Sequence, residues 1–243
     1  MIENHKVKKI LYGGDYNPEQ WPEETWEEDM RLLKLAHIDT VTLNVFSWAM
    51  LQPSEDTYYF DKLDKIMEMV TRHGMKICLA TSTGAHPAWM ARRYPDILRV
   101  DEHGLRRKFG SRHNSCPTSP TYRRYAVALA SKLAERYKSY DNIVAWHVSN
   151  EYGGECYCEN CENAFRQWLK DKYQTIEAVN AAWDTAFWGH TFYDFDEIVV
   201  PDMRSEHFGH NDRTNFQGIS LDYKRFNSES ILNAFRLEYD AIH

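Results

Sequence analysis

The chain lacks any apolar run approaching the roughly 20 residues that cross a bilayer, so a membrane-spanning helix is excluded. Its 11 Gly and 8 Pro carry no period, which excludes collagenous and low-complexity classes. Positive charge is short: 29 Lys+Arg stand against 36 Asp+Glu, for a formal net charge of −7. Phosphate binding needs a basic footprint, so nucleic acid is not an expected partner. No G-x-G-x-x-G, Walker loop, H-E-x-x-H or G-x-S-x-G is present. The histidines are scattered without ligand spacing. Behind the N-terminal lysines there is no long apolar stretch, so no secretory signal is expected. Aromatic residues are not scarce. At 14%, spread along the chain, they exclude disorder as the dominant state.

Cysteine is sparse and unevenly placed. There are five, and an odd count without a signal fits a reducing compartment, the cytoplasm. Three lie in Cys156-Tyr157-Cys158-Glu159-Asn160-Cys161, a C-x-C-x-x-C loop tight enough to set three thiolates around one ion. A fourth ligand must come from elsewhere. Cys116 would close a four-thiolate structural zinc site, and His113 competes for the place. Redox switching and three unrelated buried thiols are the other readings of the loop. Cys78, in the apolar run Met75–Ala80, is expected in the core.

Along the chain, short β runs alternate with amphipathic helical stretches. Strands are expected over 10–16, 40–46, 75–82 and 143–149. Helices are expected over 23–37, 61–73 (stopped by Gly74), 119–137, 161–173, 176–183 and 221–242. A hairpin over 97–108 should turn at Glu102-His103-Gly104, and 186–218 reads as a long aromatic-rich loop. Strand–helix alternation implies parallel strands joined by right-handed crossovers. A complete (β/α)8 barrel takes about 250 residues, yet only four strands are visible. The expected fold is therefore α/β, of the TIM-barrel type, with about the first four βα units present. Residues 1–243 read as the N-terminal half of a barrel, which would leave strand edges and an apolar inner face uncovered.

Strands in such barrels deliver functional residues at their C-terminal ends. The fourth runs out through Trp146-His147-Val148-Ser149-Asn150-Glu151-Tyr152-Gly153. A carboxylate there suits general acid work, and Asn150 can donate to a hydroxyl. Arg112, in Gly110-Ser111-Arg112-His113-Asn114, carries donors for hydroxyls or carboxylates. Trp48, Trp89, Trp183 and Trp188 are candidate stacking rings, although aromatics mostly serve as apolar bulk.

These motifs resemble those of glycoside hydrolase family 42 β-galactosidases. The carriers are Gly13-Gly14-Asp15-Tyr16-Asn17-Pro18-Glu19-Gln20-Trp21-Pro22, the stretch from Arg112-His113-Asn114 to Ser119-Pro120-Thr121-Tyr122, and Trp146 to Gly153. The resemblance covers essentially the whole chain, in order. It implies a retaining glycosidase barrel that hydrolyses terminal β-galactosides, with Glu151 as acid/base and Asn150 and Arg112 at the galactose. It also implies zinc on Cys116, Cys156, Cys158 and Cys161, and a homotrimer as a common assembly. The family's nucleophilic glutamate, on a seventh strand, is absent, as are its later domains. Glu155, Glu197 and Asp202 are the in-chain alternatives, all poorly placed. The segment alone is then expected to be inactive. A second reading is a non-catalytic, zinc-stabilised carbohydrate-binding or interaction module.

Overall fold

The computed structural model describes residue 7, residues 9–206 and residues 217–243. Lys6, Lys8 and residues 207–216 of the aromatic-rich loop lie outside the described residues. Four strands form one parallel sheet in the order β1 (Gly13–Asp15), β2 (Thr40–Leu43), β3 (Lys76–Ala80) and β4 (Ile143–His147). The α-helices are α1 (Trp26–Leu35), α2 (Trp48–Leu51), α3 (Asp61–Arg72), α4 (Ala88–Arg93), α5 (Pro120–Tyr137), α6 (Glu159–Tyr173), α7 (Ile176–Trp183) and α8 (Gln217–Ile242). Consecutive parallel strands with helical crossovers are part of a (β/α)8 barrel, as expected. Among the described residues, no helix is long and apolar enough to cross a membrane.

Two compact units divide the chain. The first holds the described residues up to Met90, Tyr125–Tyr152 and Leu237–His243; the second holds Ala91–Arg124 and Gly153–Arg236. In the first, alternation along the strands sorts the side chains. Val41, Leu43, Ile77 and Leu79 are buried, and so are Leu63, Ile66, Met67 and Val70 of α3. Burying each such side chain stabilises by roughly 1.5–3 kcal/mol. The opposite row runs in register as Asp15, Thr42, Cys78 and Ala145, and none of its members is fully buried. Among the described residues this row is only partly covered, and it is small and polar rather than the apolar face expected. Cys78 belongs to that row rather than to the core, and partial burial pushes its thiol up.

The strands are shorter than expected. At the start of β1 the Tyr12 amide donates to the Asp39 carboxylate instead of to a neighbouring strand. The helix expected from residue 23 begins at Trp26, after a single 3-10 turn over Glu23–Thr25. The hairpin expected over 97–108 turns where expected, the Asp101 amide donating to the Leu105 carbonyl and the Arg107 amide to that of Arg99, but its ladder is one bridge, Val100 with Arg106, and Leu98 bridges Ser115 beyond it. The Arg106 guanidinium donates to the Leu98 carbonyl at 3.0 Å.

The second unit packs an aromatic core around cysteines. Tyr223 of α8 stacks on Tyr157 at 5.2 Å and meets Phe165 edge-on at 5.0 Å. Its hydroxyl donates to the Cys156 carbonyl at 2.5 Å. Trp183 belongs to this core, and Trp48 is fully buried in the first unit. Neither is a stacking platform, because ring faces enclosed by protein are closed to a ligand.

Candidate functional site

The rim at the C-terminal ends of β2, β3 and β4 is stitched by side chains. Asn44 donates to the Ala80 carbonyl at 3.0 Å, and the Ser82 hydroxyl donates to the Asn44 carbonyl at 2.6 Å. Thr81 Oγ1 accepts the Ser149 amide at 2.8 Å. Each strand exit carries a left-handed residue that is not glycine: Asn44 at φ 68°, Ser82 at φ 69° and Ser149 at φ 55°. All three are buried. Such conformations cost on the order of 1–3 kcal/mol and persist only where the surroundings enforce them.

Asn150 and Glu151 stand on this rim, four residues or fewer beyond β4. Glu151 is itself left-handed, at φ 33°, so strained residues flank Asn150 on both sides. Asn150 is buried and Glu151 exposed. Gly84 approaches so closely that an added Cβ would lie 3.1 Å from the Asn150 Cβ. Where β1 and β2 end, Asn17, Glu19, Phe46, Ser47 and Lys62 line a cleft of about 450 Å³. The Ser47 hydroxyl donates there to Glu19 at 2.8 Å.

Beneath the rim lies a residue without a sequence signal. Glu238, 2% exposed on the last turns of α8, accepts the Thr81 hydroxyl at 2.9 Å and the Thr83 hydroxyl at 2.5 Å. Burial pushes its carboxyl up to about 7.

Arg112 is exposed in the second unit, between Ser111 at φ 60° and His113 at φ 58°. Trp89 is partly buried, its indole N–H donating to the Gln52 carbonyl at 2.8 Å, and Trp188 is 63% exposed. The in-chain alternatives for a second catalytic carboxylate are occupied otherwise. Glu197 accepts the Tyr193 amide at 2.7 Å within a capping box, Asp202 pairs with Arg204, and Glu155 accepts from Tyr157 and Lys224.

Cys116, Cys156, Cys158 and Cys161 come together, all buried, with their sulfurs within 4.8 Å of one another. His113 is not in that group. Tetrahedral zinc with Zn–S bonds of about 2.3 Å sets sulfurs ~3.8 Å apart. The pairs Cys116–Cys161 and Cys116–Cys158 lie at 3.4 Å, so the four thiols fit such an ion. Thr118 Oγ1 lies 3.0 Å from the Cys116 sulfur and 3.1 Å from that of Cys161. Crowding splits the thiols: hydrogen bonds with Cys116 hold Cys156 and Cys158 below the ordinary range, and Cys161 above it. All five cysteines are free of disulfides.

Residues 15–243 match the family model of glycoside hydrolase 42, described as beta-galactosidase. Beta-galactosidase BgaP of Planococcus sp. (strain L4) is 62% identical over 240 residues, which are 98% of this chain and 35% of that protein. Beta-galactosidase LacZ of Lactobacillus acidophilus is 52% identical over 234 residues, 96% of this chain and 35% of its own length. A crystal structure of beta-galactosidase from Bacillus circulans sp. alkalophilus superposes with a TM-score of 0.95 at 64% identity, covering 98% of this chain and 35% of that one. The chain thus spans about a third of the length of the curated relatives it matches.

Proposed function

The chain belongs to glycoside hydrolase family 42, and from that premise we propose that it supplies the acid/base half of a retaining β-galactosidase. The observation that carries the reading is the position of Glu151. It is an exposed carboxylate on a strained strand exit, next to a buried Asn150, on the face where barrels of this kind do their chemistry.

Protonated Glu151 gives its proton to the glycosidic oxygen as the bond to the anomeric carbon breaks. A second carboxylate, contributed from outside these 243 residues, attacks that carbon. Retaining chemistry sets the two carboxyl groups about 5–5.5 Å apart. Ionised Glu151 then takes a proton from the water that releases the sugar. The Asn150 amide donates to a galactose hydroxyl. The substrate is a terminal non-reducing β-D-galactoside, acted on in the cytoplasm by an assembly that follows the homotrimer common in the family. Zinc held by Cys116, Cys156, Cys158 and Cys161 would cross-link the segments that lead into α5 and α6. Closed by four thiolates, it has no position for substrate.

The test joins this chain to the remaining two thirds of the Bacillus circulans relative and introduces Glu151→Ala. A lost general acid costs about 10²–10⁴-fold, and the cost grows with the basicity of the leaving group. Lactose hydrolysis should therefore fall much further than that of a dinitrophenyl β-galactoside, whose leaving group needs no proton. An equal loss on both substrates, or none, contradicts the assignment. Calorimetric binding of galactose by the chain alone, together with full activity of the Glu151→Ala enzyme, would favour the binding-module reading.

A further inference from the structure

Two arginines beside the cysteine cluster have no carboxylate partner among the described residues. Arg99 is 7% exposed. Its guanidinium donates to the Ser115 carbonyl at 2.8 Å and to the Gly153 carbonyl. Half-buried Arg123 donates to the Pro117 carbonyl at 2.6 Å and to the Ser230 carbonyl at 3.4 Å. Among the described residues, every hydrogen bond of these two guanidiniums ends on a backbone carbonyl. Ser115 and Pro117 flank Cys116, so the two cations grip that ligand's backbone from both sides.

Guanidinium stays charged throughout the accessible pH range, and a buried charge without a counter-charge is costly. Among the described residues, the cysteine cluster is the one source of counter-charge beside them. The carbonyls that hold Arg99 belong to Ser115 and Gly153, one residue before Cys116 and three before Cys156, and Arg123 is held by that of Pro117, one residue after Cys116. Four thiolates around a divalent ion leave two negative charges, and Arg99 and Arg123 supply two positive ones. Gly154 is shaped to the arrangement. It sits at φ 74°, and an added Cβ would lie 2.5 Å from Arg99 Nη1.

We infer that Arg99 and Arg123 are the built-in counter-charges of a dianionic metal–tetrathiolate centre, and that they set its preference for the occupied over the empty state. The inference rests on the reading that the four cysteines hold a divalent metal. Thr118 adds a hydroxyl at Cys116 and Cys161 but carries no charge, so it cannot replace either arginine.

The test uses the purified chain, with zinc as the probe. Zinc content and affinity are measured by competition with a chromogenic chelator, and melting temperature is measured with and without metal. The variants are Arg99→Gln, Arg123→Met, Arg123→Lys and the double variant Arg99→Gln/Arg123→Met. Outer-shell partners of metal ligands are worth about 10–100-fold in affinity, so each neutral variant should bind zinc tenfold or more weakly. The double variant should lose more, and Arg123→Lys, which keeps the charge, should recover most of the affinity. The zinc-induced rise in melting temperature should shrink while the zinc-free melting temperature stays close to that of the parent. Arg123→Met retains the apolar stem and is the variant to read if Arg99→Gln does not fold. Parental affinity in Arg123→Met, or equal loss in Arg123→Lys and Arg123→Met, overturns the inference. A parent holding well below one zinc per chain would instead overturn the underlying metal reading.

Discussion

Thr81 Oγ1 donates to the buried Glu238 carboxyl at 2.9 Å while accepting the Ser149 amide at 2.8 Å, so one hydroxyl joins α8 to the loop that carries Asn150 and Glu151. This pair makes stability depend on pH in a defined direction. Burial raises Glu238 from its ordinary 4.5 to about 7. Below pH 4.5 the group is protonated in both the folded and unfolded states, and its contribution is fully present. Between pH 4.5 and 7 the unfolded chain ionises first, so up to ~3 kcal/mol is lost as pH rises. His86 works in the opposite sense. Burial lowers it from 6.5 to about 4, so its contribution is lost as pH falls through that window. In the parent the two slopes oppose each other. Glu238→Gln keeps an acceptor for the threonines and removes only one slope. Its urea midpoint should therefore climb steadily from pH 4.5 to 6.5, more steeply than the parent's. A profile parallel to the parent's would contradict the buried-acid account.

The cysteine cluster predicts a large metal effect. A ligand present at a thousand times its dissociation constant stabilises by about 4 kcal/mol, which for a chain of this size is about 8–16 °C. Cys158→Ala should lower the melting temperature by that much and bring zinc content, by elemental analysis, well below one per chain. A melting curve unchanged by both a strong chelator and the substitution would remove the metal from the account.

A Cβ added at Gly84 would lie 3.1 Å from the Asn150 Cβ and 3.4 Å from the Phe46 ring. Gly84→Ala should press on Asn150 first, because that side chain stands closest. In the enzyme completed with a relative's downstream part, KM for galactosides should rise several-fold with a smaller change in kcat. Unchanged KM would mean that Asn150 does not hold the sugar.

The four strands, the longer helices and the cysteine quartet were legible, because period-2 and period-3.6 patterns and a C-x-C-x-x-C loop are local signals, whereas α2 and α4, of four and six residues, are too short to show a period. The strand exits were less so. Asn44, Ser82 and Ser149 terminate the strands by turning left-handed, a conformation imposed by hydrogen bonds from neighbouring strands. Glu238 was invisible for a related reason. Leu237 and Tyr239 are the large apolar residues of that turn, yet they are 40% and 43% exposed. The buried row is Phe226, Ser230, Ala234 and Glu238, spaced four residues apart. Small and polar residues at helical spacing carry no hydrophobic signature, and only the packing against Thr81 and Thr83 identifies the face. Arg99 and Arg123 escaped notice because a guanidinium bonded only to carbonyls leaves no trace in the pattern of charges.

The most direct test of the central claim, that Glu151 supplies acid/base chemistry while the nucleophile comes from outside these residues, is nitrophenyl β-galactoside turnover. It would be measured for this chain alone, for the chain joined to the downstream two thirds of its Bacillus circulans relative, and for the joined form with Glu151→Ala. The account predicts no turnover from the chain alone, clear turnover from the joined form, and a loss of about 10²-fold or more in the variant. Turnover by the chain alone that disappears with Glu151→Ala would place both carboxylates within the 243 residues and contradict it.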